Sequence, residues 1–327
     1  MPGIATSCGF QPETAPQTPC GVLFYGSIFD VYGLQHRAPT MPTPYTTLIS
    51  APELARLSAP FIVDCSHDLA QPDAGRQAYA QAHIPGAIFL HLDDDLSAPK
   101  TGRNGRHPLP DPDAFAAMLG RLGLHQHQQV VAYDRSGGSF AVRLWWMLRW
   151  LGHDAVAVLD GGWPAWMRAG GASENTPPHA RMPGHFERRT SLVGAVSADR
   201  VLDSLQHAKL LVVDARAPER YAGEVEPIDP VGGHIPGARN RFFQTNLQAD
   251  GTFKSREQLR EEYTALLEDW DPRDVIHHCG SGVTGCHNVL AMMHAGMDGS
   301  LLYPGSWSEW CAEPSRPVAT GPAPGKA

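Results

Sequence analysis

A chain of 327 residues is long enough for two domains, and 42% hydrophobic against 18% charged residues excludes a disordered polymer. The 33 glycines and 29 prolines are scattered without a collagen-like period. A net charge of −8 argues against nucleic acid or an anionic membrane as partner, so any anion-binding site has to be local.

Residues 1–40 carry no periodicity and have no counterpart later in the chain; they are expected to be a disordered or non-native extension. Within them, the apolar run Gly21–Phe29 is far shorter than the ~20 residues that cross a bilayer, and no Lys or Arg precedes it. Neither a membrane span nor a secretory signal is expected, and the expected location is cytoplasmic. Cys8, Cys20, Cys65, Cys279, Cys286 and Cys311 lie apart without a CxxC, and the sixteen histidines form no HExxH or similar ligand spacing. No disulfide scaffold, metal site or cofactor is expected.

From residue 41 onward the chain repeats itself, with landmarks displaced by 144 to 151 residues. Ser50 and Ser197 each stand as N-cap before a helical stretch, PELARL and DRVLDSL. FIVD (61–64) and LLVVD (210–214) read as buried strands ending in aspartate. HIPGA occurs at His83–Ala87 and again at His234–Ala238. VVAY (130–133) and VIHH (275–278) each run into a small-residue loop and a helix, and each half closes on a Gly-Trp turn, GGWPAW (161–166) and GSWSEW (305–310). Strand–loop–helix alternation predicts an α/β protein of two tandem domains, 41–170 and 191–320, each a parallel sheet with helices on both faces. A proline-bearing linker (171–190) joins them and a Gly/Pro tail (321–327) follows. Phe140–Leu151 predicts an amphipathic helix packed on the first sheet.

The loop after the last-named strand distinguishes the halves. It reads HCGSGVTGC in the second, with Cys279 at the strand end and a helix expected from about Val283 to Ala295; in the first it reads YDRSGGSFA, with Asp134 in the cysteine's place. A sulfur in front of a helix N-terminus, ringed by backbone N–H groups, sits in a field that favours thiolate. Cys279 is therefore the candidate nucleophile and Asp134 its inert counterpart; the alternative for Cys279 is a packed structural cysteine. Cys286, one turn into the helix, reads as packed rather than as a resolving thiol.

The two HIPGA motifs, LDGGW, GSWSEW, DARAPERYAG (214–223) and CGSGVTGC (279–286), in this order, resemble the tandem-domain sulfurtransferases of the rhodanese superfamily over about residues 45–320. The resemblance implies an inactive first domain, an active second domain, and a persulfide formed on Cys279. The active loop is then Cys279, Gly280, Ser281, Gly282, Val283 and Thr284, and its uncharged GSGVT form resembles that of 3-mercaptopyruvate sulfurtransferases. It implies 3-mercaptopyruvate as the favoured donor, with thiosulfate the alternative. The acceptor is cyanide, a thiol or thioredoxin. Arg220 matches the family's substrate-binding arginine, suited to a carboxylate. Arg216 is expected to brace the loop by pairing with Asp214 or Glu219. A second arginine nine residues on is replaced by Asp229. Arg106 and His107, or Arg239 and Arg241, are the residues able to take its place from across the cleft. Ser281 resembles a serine placed in a relay with a first-domain HIPGA histidine, His83, and an upstream aspartate, Asp73; recurrence of the histidine as His234 favours a structural duty instead.

Two other classes compete. A cysteine phosphatase or arsenate reductase needs arginine six positions after the cysteine, where this chain has Gly285. A catalytically silent sulfur carrier or scaffold would not need Cys279 in this loop.

Overall fold

The computed structural model describes residues 43–176, 181–207 and 209–325; the extension expected at 1–40 lies outside them. Ten elements fill the first half: β1 (Leu48–Ile49), α1 (Ala51–Leu54), β2 (Phe61–Asp64), α2 (Ala74–Gln81), β3 (Ile88–Phe89), α3 (Pro112–Arg121), β4 (Val130–Tyr133), α4 (Ala141–Trp150), β5 (Val156–Leu159) and α5 (Gly162–Arg168). The second half repeats them as β6 (Gly194–Ala195), α6 (Ala198–His207), β7 (Leu211–Asp214), α7 (Pro218–Ala222), β8 (Arg239–Asn240), α8 (Arg256–Leu267), β9 (Val275–His278), α9 (Gly285–His294), β10 (Leu301–Leu302) and α10 (Ser306–Trp310), with 3-10 turns at Phe243–Asn246 and Pro272–Asp274.

Each half forms one five-stranded parallel sheet, in the orders β1-β5-β4-β2-β3 and β6-β10-β9-β7-β8. The orders coincide position by position, and so do the registers: Asp64 pairs with Tyr133 as Asp214 pairs with His278. The central strands read as continuous apolar runs because helices cover both faces. The expected strands 61–64, 130–133 and 275–278 are observed to the residue, and α9 begins two residues later than expected. At the first helix, the Glu53 carboxylate accepts the Ser50 N–H at 2.9 Å, the return half of a capping box.

The helix expected to be amphipathic is not. Ala141 through Arg149 of α4 are all buried, because its outer face packs on α9 of the other half while its inner face covers the first sheet. A helix buried all round needs no polar stripe. The two halves thus share one core through this helix pair, and the sulfur-bearing loop lies at its end. The described parts of the expected linker also pack: Phe186 enters the core, Arg181 lies over the Phe61 ring at 4.9 Å, and Arg189 N–H donates to the Leu151 carbonyl. Among the described residues no helix is long and apolar enough to cross a membrane.

Candidate active site

The cleft between the halves is lined by Cys279, Gly280, Ser281 and Arg220 from the second and by Arg106 and Phe140 from the first. Strand β9 delivers Cys279 to the sheet edge, and the N-terminus of α10 fixes the loop from behind. Trp307 N–H donates to the Cys279 carbonyl (3.0 Å), Ser308 N–H to the Gly280 carbonyl (2.9 Å), and Cys279 N–H to Ser306 Oγ (3.1 Å). Gly282 has φ +78°, and a Cβ there would lie 2.1 Å from the Pro304 carbonyl oxygen, so the tight loop requires glycine. Cys279 is 2% exposed, and the Ser281 N–H points at its Sγ from 3.4 Å.

The aligned loop of the first half shows what this backbone does with an anion. Asp134 is fully buried, and its carboxylate accepts four backbone N–H groups: Ser136 and Gly138 on Oδ1 (2.8 and 2.9 Å), Phe140 and Ala141 on Oδ2 (2.8 and 2.9 Å). Its carbonyl accepts Trp163 N–H (2.8 Å), as that of Cys279 accepts Trp307 N–H. The duplicated loop is an anion cradle, filled by a carboxylate in one half and offering a thiol in the other.

Two guanidinium groups stand over Gly280: a Cβ on that residue would lie 2.9 Å from Arg106 Nη2 and 3.5 Å from Arg220 Nη1. Of the four residues able to replace the missing arginine, Arg106 reaches the loop. Arg239 is engaged by Leu266 and Glu268, Arg241 by Glu262 and Asn246, and His107 has a different partner. Asp229, standing where the second arginine was expected, pairs with Arg106 and with Arg220 Nη2 (3.3 Å); burial raises its carboxyl. Glu226 holds Arg220 at 2.7 Å. Arg216 braces the loop as expected through Asp214 (2.6 Å), but its second acid is Glu226 at 3.4 Å, not Glu219. Burial would raise the Asp214 carboxyl, yet the Arg216 charge holds it at about 2. Three arginines thus face three carboxylates, leaving the guanidinium edges turned to the cleft free of a net excess charge.

The relay expected through His83 and Asp73 does not form. His83 stacks on Tyr79, directs Nδ1 to the Tyr79 carbonyl (2.7 Å) and bridges Glu174; His234 repeats this on Tyr221, at 2.9 Å. Asp73 is exposed at the start of α2. Ser281 Oγ instead meets His107 Nδ1 at 2.7 Å, and His107 Nε2 faces Asp93 Oδ1 at 3.6 Å. The carboxylate favours the proton on Nε2, so Nδ1 accepts the Ser281 hydroxyl. Burial, aided by the Arg143 charge, pushes His107 down to about 3, keeping the ring neutral at pH 7.

Arg143 completes the site and was not singled out in the sequence. It lies on α4, fully buried, and donates to the carbonyls of Gly282 (3.0 Å) and His107 (2.8 Å), with no carboxylate partner among the described residues. Cys286 is buried as expected, its thiol donating to the same Gly282 carbonyl at 3.4 Å while burial pushes it up.

Residues 50–169 and 197–313 match the rhodanese-like domain family. The chain is 48% identical over 279 residues, covering 84% of this chain and 98% of the relative, to a protein of Pseudomonas aeruginosa named probable 3-mercaptopyruvate sulfurtransferase. It is 37% identical to the human 3-mercaptopyruvate sulfurtransferase over 73% of this chain and 81% of that one. The solved 3-mercaptopyruvate sulfurtransferase from Leishmania major superposes with a TM-score of 0.74 at 31% identity, covering 83% of this chain and 75% of that one.

Proposed function

Because the chain belongs to the rhodanese family, as two rhodanese-like domains in tandem, we propose that it moves a sulfane sulfur from 3-mercaptopyruvate through a Cys279 persulfide to a thiophilic acceptor. The protein is a sulfurtransferase by its relatives; the donor, the residue roles and the domain division (41–170 inactive, 191–320 catalytic) are our reading. What carries it is one buried thiol faced by a loop N–H, with two guanidinium groups over the adjacent Gly280 and a loop hydroxyl paired to an imidazole of the first half.

In this reading the donor's carboxylate rests on the cleft-facing edges of Arg220 and Arg106, a bidentate-capable pair. The Cys279 thiolate attacks the donor sulfur: an S–S bond forms, the C–S bond breaks, and the leaving enolate of pyruvate takes up the thiol's proton at carbon. Ser281, backed by neutral His107 and Asp93, holds that proton's path. Gly282, Val283 and Thr284 supply the turn into α9. The persulfide then passes its outer sulfur to cyanide, a thiol or thioredoxin. Cys65, Cys279, Cys286 and Cys311 are all free, and a reactive thiol of this kind suits the reducing cytoplasm.

A second reading, thiosulfate as donor, draws on the two arginines over the loop. The paired acids Glu226 and Asp229 count against it, since a dianion needs excess positive charge. Steady-state rates with both donors decide: the proposal expects a higher kcat/KM for mercaptopyruvate, and a preference for thiosulfate would overturn it.

A further inference from the structure

Beside the relay, two chain segments bring two imidazoles and a carboxylate together: ligand-type atoms of His67 and of His91 and Asp93 lie within 4.8 Å of one another. His67 is the anomaly among them. Its ring is packed edge-on against Phe140 and His91, with centroids 5.3 and 5.1 Å away, and its side chain is 1% exposed. Yet among the described residues neither ring nitrogen has a hydrogen-bond partner. Leaving polar atoms buried and unpaired costs their full desolvation, and native structures seldom keep such a group without a ligand or water to satisfy it.

The neighbours are set out as ligands are. His67 Nε2 faces Asp93 Oδ2 at 3.9 Å. Two metal–ligand bonds of about 2.0 Å at a tetrahedral angle span roughly 3.3 Å, so a shift of about half an ångström closes the pair on an ion. His91 anchors Nε2 on the Pro72 carbonyl at 3.1 Å, leaving Nδ1 to long contacts with Asp94, 3.3 Å to its N–H and 3.4 Å to its exposed carboxylate. An imidazole fixed through its far nitrogen by a carbonyl is the usual support of a metal-bound histidine. Asp93 spends Oδ1 on Lys100 (2.8 Å) and on His107 (3.6 Å), which leaves Oδ2 for the ion. Its side chain is a quarter exposed, so water can complete the coordination.

We propose that His67, His91 and Asp93 bind a divalent first-row transition cation, zinc foremost, and that the bound ion slows sulfur transfer by drawing the Asp93 charge away from His107. Two imidazoles, one carboxylate and water suit zinc better than a hard cation, which would require more oxygen ligands. The inhibitory part rests on the relay proposed above; the binding part does not.

The test titrates the full-length protein with cobalt(II), read by visible absorption and calorimetry, in wild type, His67→Phe, His91→Gln and Cys279→Ser. Phenylalanine keeps a ring against Phe140, and glutamine keeps a polar group at Pro72. Wild type and Cys279→Ser are expected to bind one ion with the ligand-field bands of a nitrogen–oxygen site, and both histidine variants to bind at least tenfold more weakly. Zinc is expected to slow mercaptopyruvate turnover in wild type, whereas His67→Phe keeps its basal rate and resists the same zinc concentration. Unchanged binding in the histidine variants, or its loss in Cys279→Ser, overturns the site. Equal zinc inhibition of His67→Phe overturns the regulatory role. If mercaptopyruvate is not turned over at all, the cobalt measurements still decide the site.

Discussion

Asp134 and Cys279 are the same position of one duplicated loop: each follows its central strand, and each gives its carbonyl to the N–H of a tryptophan, Trp163 or Trp307. The carboxylate collects four N–H donors. In the proposed reading the first half therefore holds a permanent anion where the second offers a reactive one, and its cradle serves as a structural device.

That role makes Asp134 costly to remove. Asp134→Ala leaves four N–H groups without their acceptor, two of them on the buried Gly138 and Ala141, which at about 1–3 kcal/mol per unsatisfied buried group amounts to about 3 kcal/mol. Thermal denaturation is expected to show a melting temperature lowered by about 6 °C or more, while sulfur transfer per folded molecule stays close to wild type. An unshifted melting curve would mean that water replaces the carboxylate.

His107 and His83 separate chemistry from architecture. His107→Gln is expected to lower kcat by about a hundredfold, the low end of what general acid–base groups contribute, with little change in melting temperature. His83→Gln is expected to do the reverse, because its ring holds Tyr79 and Glu174 rather than Ser281. Parallel kinetics and melting of the two variants check this; equal loss of kcat in both would return the relay to the HIPGA motif.

Much of this was legible in the sequence. Duplicated strands bounded by Asp64 and Asp214, repeated HIPGA turns and the Gly-Trp closures are local signals, and the sheets follow them. That Cys279 and Arg220 line one cleft was legible for the same reason, each lying in a short motif of the second half. The relay was not. Asp93 and His107 belong to the first half, yet His107 meets Ser281 of the second, a pairing set by how α4 packs on α9 and invisible to any local pattern. Arg143 was hidden by the same packing: in a tryptophan-rich helix the two arginines, Arg143 and Arg149, read as the solvent face, and along Ala141–Arg149 this helix has none. His83 drew attention through its motif, yet its recurrence as His234 was the better guide.

Arg143 is expected to position the Cys279 loop from the first half. Arg143→Met removes charge-assisted hydrogen bonds to Gly282 and His107, worth about 1.5–3 kcal/mol each, while relieving the cost of burying an unpaired guanidinium. The variant is expected to fold and to lose at least tenfold in kcat, about 1.4 kcal/mol of transition-state stabilisation, with KM nearly constant; Arg143→Lys is expected to recover part of it. Full activity in Arg143→Met would leave the residue a packing element.

Charge in the loop is expected to set the donor. Replacing Gly280 and Ser281 by Arg and Lys adds two cations against acids that are already matched, and pushes Arg106 aside, since even a Cβ at 280 lies 2.9 Å from its guanidinium. Each added charge is worth about 1 kcal/mol or more near a protein surface, and the Ser281 hydroxyl is lost. The ratio of kcat/KM for thiosulfate over mercaptopyruvate is expected to rise at least tenfold. A constant ratio would shift the origin of specificity to Arg106, Arg220 and Asp229.

The persulfide itself is the most direct measure of the account. Intact-protein mass spectrometry after brief exposure to mercaptopyruvate, without acceptor, is expected to show wild type heavier by one sulfur atom and pyruvate released in equal amount. Cys279→Ser is expected to fold, stay at its own mass and release no pyruvate. A sulfur adduct on Cys279→Ser, or transfer retained by it, would contradict Cys279 as the residue that carries the sulfur.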